Sequence, residues 1–184
     1  MINYRRLLLP LTLAALLAGY LMLAPAAGAA SSSIGDSEEI SALLSNARFE
    51  AIELRDDSDK MLSFSRSVLP SQNFAGKLTD VKDHVNKAGK LLAKLDQARG
   101  TGSSWQQQAI DHITPLLKEL AANTEATINH FNDNKMLVHS KELVEYCSVN
   151  YELAKELAAL VEDFIDYGES QAKFAELQKK VEAR

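Results

Sequence analysis

The chain is poor in the residues that stop helices or staple loops. Its 184 residues include one Cys, four Pro and eight Gly, and aromatics make up 7%. A single thiol excludes an internal disulfide framework and a covalent haem motif of the Cys-x-x-Cys-His type. So little Gly and Pro excludes collagen-like and low-complexity classes. No period-2 alternation of apolar residues occurs beyond residue 35, which excludes a sheet-built core and leaves the helical period to be read. Strong positive charge is also missing. The first 30 residues hold Arg5 and Arg6 and no acid, so the remainder carries 18 basic and 25 acidic side chains, a formal charge of −7. That sign disfavours nucleic acid and anionic membrane surfaces as partners.

The one long hydrophobic run is N-terminal. Met1 to Arg6 is a short cationic start, Leu7 to Ala24 is apolar, and Ala24-Pro25-Ala26-Ala27-Gly28-Ala29-Ala30 supplies small residues. This pattern predicts a secretory signal peptide over residues 1–30, cleaved after Ala29 or Ala30, with a short linker at 31–36. The competing reading is a retained anchor, because about 18 apolar residues lie at the lower limit for spanning a bilayer. Pro10, Gly19 and the small residues favour cleavage, and a cleaved chain has no stable membrane anchor. The protein is therefore expected to be exported, to the periplasm or beyond. No Cys follows the run to carry a lipid, and Cys147 alone cannot form an internal disulfide, so folding must rest on the core.

Four stretches carry the spacing of amphipathic helices. Ile40, Ala47, Leu54, Met61 and Val68 recur every seven residues in the first, which opens with Asp36-Ser37-Glu38-Glu39, a capping box with Glu39 reaching back. Arg55-Asp56-Asp57-Ser58-Asp59 interrupts this stretch and reads as a solvated face. Leu69-Pro70-Ser71 ends it. Phe74, Leu78, Val81, Val85, Ala88, Leu92 and Leu95 form the second seam, and Gly100 and Gly102 end it. Ser104 with Gln107 is the next capping-box candidate. The third seam is Ile110, Ile113, Leu117, Leu120, Thr124, Thr127 and Phe131, with Pro115 inside it predicting a kink near 111–115. The fourth is Val144, Cys147, Tyr151, Ala154, Ala158, Val161, Ile165 and Gly168. After it the register shifts to Phe174, Leu177 and Val181 amid Lys and Glu, which predicts a short charged terminal helix or a bent extension over 169–184. Segments at 37–67, 72–98, 104–132 and 140–167 have matched lengths. Short loops between them predict an all-α, antiparallel up-down-up-down four-helix bundle over 37–168.

Such bundles often hold haem or paired metals, but the ligand patterns are missing. There is no Glu-x-x-His for a di-iron site. His84 beside the second seam and His112 on the outer side of the third are poorly placed as axial haem ligands. His130, Met136 and His139 near the third-to-fourth turn are the candidates that could converge on a soft or borderline metal, although their spacing matches no known ligand pattern. No cofactor is expected. The sequence has no Gly-x-Ser-x-Gly, and Gly100-Thr101-Gly102 follows a helix rather than a strand, so it is not a phosphate loop. Cys147 on a seam is blunted by burial. These readings predict a non-enzymatic protein.

Trp105, at the start of the third helix, either covers the base of the core or stands exposed as a contact for a partner. Trp105-Gln106-Gln107-Gln108-Ala109-Ile110, Pro115-Leu116-Leu117-Lys118-Glu119-Leu120-Ala121 and Asp163-Phe164-Ile165-Asp166-Tyr167-Gly168 together resemble a family of small secreted helical proteins of environmental bacteria. The resemblance covers roughly residues 37–180. It implies an exported helical protein and brings with it no activity, ligand, cofactor or functional residue. The expected role is a protein-interaction or envelope structural module that binds a protein partner or itself. The alternatives are a small-molecule-sensing bundle with a pocket near the Pro115 kink and a haem- or metal-binding bundle.

Overall fold

The computed structural model describes residues 35–67, 71–134 and 138–183. The expected signal peptide with Ala29 and Ala30, and the candidate ligand Met136, lie outside them. Regular structure among the described residues is entirely helical: α1 (Glu38–Ser65), α2 (Ser71–Ala98), α3 (Ser104–Asp133) and α4 (Lys141–Glu182), with a 3-10 turn at Arg99–Thr101 before α3. None of these helices is long and apolar enough to cross a membrane.

Side-chain pairs fix the directions. His84 and Lys77 of α2 meet Glu50 and Asp57 of α1, so rising numbers on one helix face falling numbers on the other. Phe74 lies against Phe131, ring centroids 5.0 Å apart, which sets α2 against α3 in the same antiparallel sense. Asn123 reaches Tyr146 while Trp105 lies under Gly168, so α3 and α4 are antiparallel too. At the far end His139 Nδ1 is 3.1 Å from the Ser65 carbonyl, bringing the start of α4 to the end of α1. The result is an up-down-up-down bundle whose heptad seams meet in one core. Ile40, Leu44, Leu54, Met61, Val81, Ile110, Leu120, Leu143 and Leu157 are all nearly or fully inaccessible within it.

Three expectations change. First, the helices are not matched: α1 to α3 have 28, 28 and 30 residues, whereas α4 has 42 and runs through Gly168 without a break. A lone Gly lowers helix stability by only about 1 kcal/mol relative to Ala, and packing against a neighbour offsets that. Second, Asp57 (7% exposed) and Ser58 (0% exposed) are buried, not solvated. The sequence signal failed here because the Asp57 carboxylate finds Lys77 and the His84 imidazole on α2, and Lys60 on its own helix, instead of water. Third, α3 is capped one residue earlier than expected, by Ser103 with Gln106. Gln107 turns back to the Gly102 carbonyl instead. The helix α3 continues through Pro115. The carbonyl of Ile110 in the turn before it accepts the Thr114 hydroxyl at 2.7 Å.

Candidate functional site

The end of the bundle where α1 and α3 start is closed by two side chains. Trp105 is 8% exposed and its Nε1 donates to Asp36 Oδ1 at 2.7 Å. Its ring lies so close to Gly168 that a Cβ there would stand 2.7 Å from Cη2 and 2.8 Å from Cε2. The indole thus closes the core at this end and does not stand out as a partner contact, because its polar edge and its ring are both already occupied. Gln106, fully buried, joins the two helix starts. Its Oε1 accepts from the N–H groups of Ser37 (2.9 Å) and Ser103 (3.0 Å), and its Nε2 donates to the Ser37 carbonyl (2.9 Å) and the Ser41 hydroxyl (3.0 Å). The reach-back role expected of Glu39 is therefore filled from another helix. A cleft of about 180 Å³ opens beside this cap, lined by Asp36, Ser41, Trp105, Gly168 and Glu169 among others.

At mid-height α1 and α2 share a charged cluster. His84 Nδ1 lies 2.7 Å from Glu50 Oε2, and its Nε2 lies 3.6 Å from Asp57 Oδ2. Lys77 bridges Asp57 at 3.2 Å and Asp80 at 2.6 Å. The hydrogen bond to Asp80, and after burial is overcome the bond to Asp57, hold the Lys77 ammonium above its ordinary pKa. Because the two ring nitrogens of His84 point to different carboxylates, these groups do not converge on one cation. They lock α1 to α2. On the opposite side Asn150, fully buried on α4, has Oδ1 2.8 Å from Thr124 Oγ1 and donates from Nδ2 to Thr127 Oγ1 at 2.8 Å and to the Tyr146 carbonyl at 3.2 Å. A single satisfied polar residue in an apolar seam selects one register over its neighbours, since any slip leaves it unpaired.

The candidate metal ligands are separately engaged. His130 Nε2 is 3.2 Å from Ser140 Oγ, with its ring beside Tyr146, while His139 faces the end of α1. No group of three His, Cys, Asp or Glu side chains among the described residues is arranged to hold a metal. His112 is exposed and packs its ring 5.8 Å from Phe164, away from the surroundings of His84. Near Pro115, Ile113 and Leu117 line an apolar cavity of about 10 Å³ with Ala47, Ala88, Leu92 and others. That is about the space needed for one water molecule.

Cys147 is fully buried and burial pushes its thiol up to about 12, against a smaller opposing effect from Ser65. Only the thiolate reacts. Treating the native protein with a thiol reagent at pH 8 is expected to label Cys147 only at the rate of global opening, several orders of magnitude below that of the denatured chain. Rapid labelling in the native state would show a local opening between α1 and α4.

The remaining feature is the far end of α4. Gly168 is its last buried residue, and residues 169–183 are all exposed. At 1.5 Å per residue this segment projects about 20 Å beyond the bundle. Tyr167, Phe174, Leu177 and Val181, at 51%, 63%, 52% and 74% exposure, form one stripe along it by their spacing of seven, three and four. Shallow grooves run beside them, between Tyr167 and Ala175 and between Phe174 and Glu182. Scattered exposed apolar side chains are ordinary, but an aligned row on a helix with no packing partner is the form of a docking surface. The shifted register after Gly168 is the sequence signal for this surface, and its interpretation needed the end of the bundle to be located. No family model matches the chain, and neither a curated protein nor a solved structure does.

Proposed function

We propose that the protein is an exported, non-enzymatic interaction module of the cell envelope, in which a rigid four-helix bundle presents the projecting part of α4 to a protein partner. The observation that carries this reading is the unpartnered stripe of Tyr167, Phe174, Leu177 and Val181 on a helix continuous with the core. An isolated helix of about 14 residues is marginal in water, so continuity with α4 supplies the nucleation that the segment lacks alone. The cationic start and apolar run of residues 1–24, followed by Ala29 and Ala30, support export. Balanced charge also suits the projecting segment to protein contact. Residues 169–184 hold four bases and three acids, whereas 31–168 hold 14 bases and 22 acids.

A photo-crosslinking residue at Leu177, in the chain produced by its own host, tests the reading. A discrete protein adduct is expected from position 177 and none from Glu152, an exposed position on the bundle. Equal labelling from both positions, or none from either, would refute it. N-terminal sequencing of the same material checks the export route, with Ala30 or Ser31 expected first.

A further inference from the structure

The cleft beside the Trp105 cap combines apolar walls with polar groups of a single kind. It lies between the start of α1 and the root of the projecting part of α4. Leu44 and Ile165, both buried, line it together with Ala172 and the indole of Trp105. Asp36 commits one carboxylate oxygen to the indole N–H at 2.7 Å, and its other oxygen has no hydrogen bond among the described residues. Glu169 lines the cleft from α4 and has neither an ion pair nor a hydrogen bond among them. The Ser45 hydroxyl donates to the Ser41 carbonyl at 3.0 Å, which leaves its oxygen as an acceptor. The N–H groups of the α1 start are already engaged, that of Ser37 with Gln106 and that of Ile40 with the Ser37 hydroxyl. Among the described residues no Lys, Arg or His lines the cleft. The polar groups still able to bond are therefore acceptors, two of them charged, around an apolar floor.

We infer that this cleft binds a small organic cation, a primary ammonium carried on a short hydrocarbon chain. The ammonium donates to the free oxygen of Asp36, to Glu169 and to the Ser45 hydroxyl, and the hydrocarbon covers Leu44, Ile165 and Ala172. Charge-assisted bonds of this kind are the stronger class of hydrogen bond, and a pocket with an apolar body and a few convergent polar groups is the usual form of a ligand site. An anion is excluded by the two carboxylates. A bare metal ion is a poor match, because no group of three His, Cys, Asp or Glu side chains among the described residues is arranged to hold one. Size sets the class of ligand. The cleft of about 180 Å³ equals about six waters' worth of liquid, which suits a ligand of about six to nine heavy atoms and not a drug-sized one. The negative charge of the chain beyond residue 30 adds a long-range attraction for cations. This inference goes beyond the interaction-module reading and does not depend on it, since Ile165, Gly168, Glu169 and Ala172 of the cleft share no member with the apolar stripe.

Trp105 is the only Trp of the chain, so its fluorescence reports on this cleft alone. The natively produced chain is titrated at constant ionic strength with n-pentylammonium, and in parallel with n-pentanol, pentanoate and calcium ion. A saturable change in emission is expected with n-pentylammonium, with a dissociation constant on the order of 0.1–1 mM for so few atoms. None is expected at the same concentrations of the alcohol, the carboxylate or the metal. Glu169→Gln is expected to weaken ammonium binding on the order of tenfold, with the melting temperature of the ligand-free protein unchanged because Glu169 is exposed. Asp36→Asn keeps an acceptor for the indole N–H and removes the charge, so a similar loss is expected. Amide shifts in a nitrogen–proton correlation spectrum are expected at Ser41, Ser45, Glu169 and Ala172 on addition of n-pentylammonium. The inference is overturned by a response that does not saturate in the millimolar range, or by n-pentanol matching the ammonium. It is overturned equally by calcium ion alone giving the saturable change, or by Glu169→Gln and Asp36→Asn both binding as the parent does.

Discussion

Trp105→Ala is expected to destabilise the protein by about 3–5 kcal/mol, the range for removing a large buried aromatic side chain. The indole is 8% exposed, its ring lies against Gly168, and its Nε1 donates to Asp36. Truncation opens a cavity at the end of the core and removes the contact that holds α4 where it leaves the bundle. For a domain of this size the melting temperature should fall by on the order of 10 °C. Trp105→Phe keeps most of the burial and loses the hydrogen bond to Asp36, so a smaller cost of about 1–2 kcal/mol is expected. Gly168→Ala approaches the same contact from the other side. The added methyl would press on the indole, and since the helix favours Ala there, any net destabilisation, expected at about 1–3 kcal/mol, measures the tightness of the fit. Denaturant unfolding of the three variants checks these values. A loss below about 1 kcal/mol for Trp105→Ala would show that the cap carries little of the fold.

Gln106→Ala should cost about 2–4 kcal/mol, although the side chain it removes is polar. The reason is what remains. The N–H groups of Ser37 and Ser103 lose their acceptor, and the Ser37 carbonyl and Ser41 hydroxyl lose a donor, at a site with no exposure for Gln106 itself. Each buried polar group left unpaired costs about 1–3 kcal/mol, less where water can enter. Gln106→Glu gives a test with a sign. A carboxylate keeps the acceptor and cannot donate to the Ser37 carbonyl, whereas a protonated carboxyl can donate. Burial and the carbonyl both favour the protonated form, so the folded state of this variant holds its proton more tightly than the unfolded chain. Its stability relative to the parent should be greatest below about pH 4 and be lost as pH rises through the higher folded-state value. A variant whose deficit is independent of pH would place residue 106 in contact with water.

Helix count, helix starts and most of the core were legible in the sequence because they depend on periodicity and on local capping chemistry. The second seam, from Phe74 to Leu95, is buried along its whole length as its spacing predicts. Local rules failed where a residue is satisfied by a different helix. Glu39 was the expected partner of the α1 start, yet Gln106 takes that place from 69 positions away. Asp57 and Ser58 read as solvated because charge and small polar character suggest water, and only the approach of α2 supplies His84 and Lys77. Asn150 carried no signal at all, since the spacing placed Tyr151 in the seam instead, and nothing along the chain indicates that Thr124 and Thr127 stand opposite residue 150.

The candidate site divides in the same way. The sequence alone determined an apolar N-terminal run, an acidic remainder, a lone thiol, four amphipathic stretches and a change of register after Gly168, all of them properties of neighbours along the chain. Tertiary structure decided that α4 continues unbroken past the bundle, that Trp105 is enclosed, and that His130 and His139 turn to different partners. It also decided that the apolar stripe from Tyr167 to Val181 is left without cover. The physical reason is that periodicity states which side chains share a face of a helix, whereas only the placement of the other three helices determines which of those faces is covered.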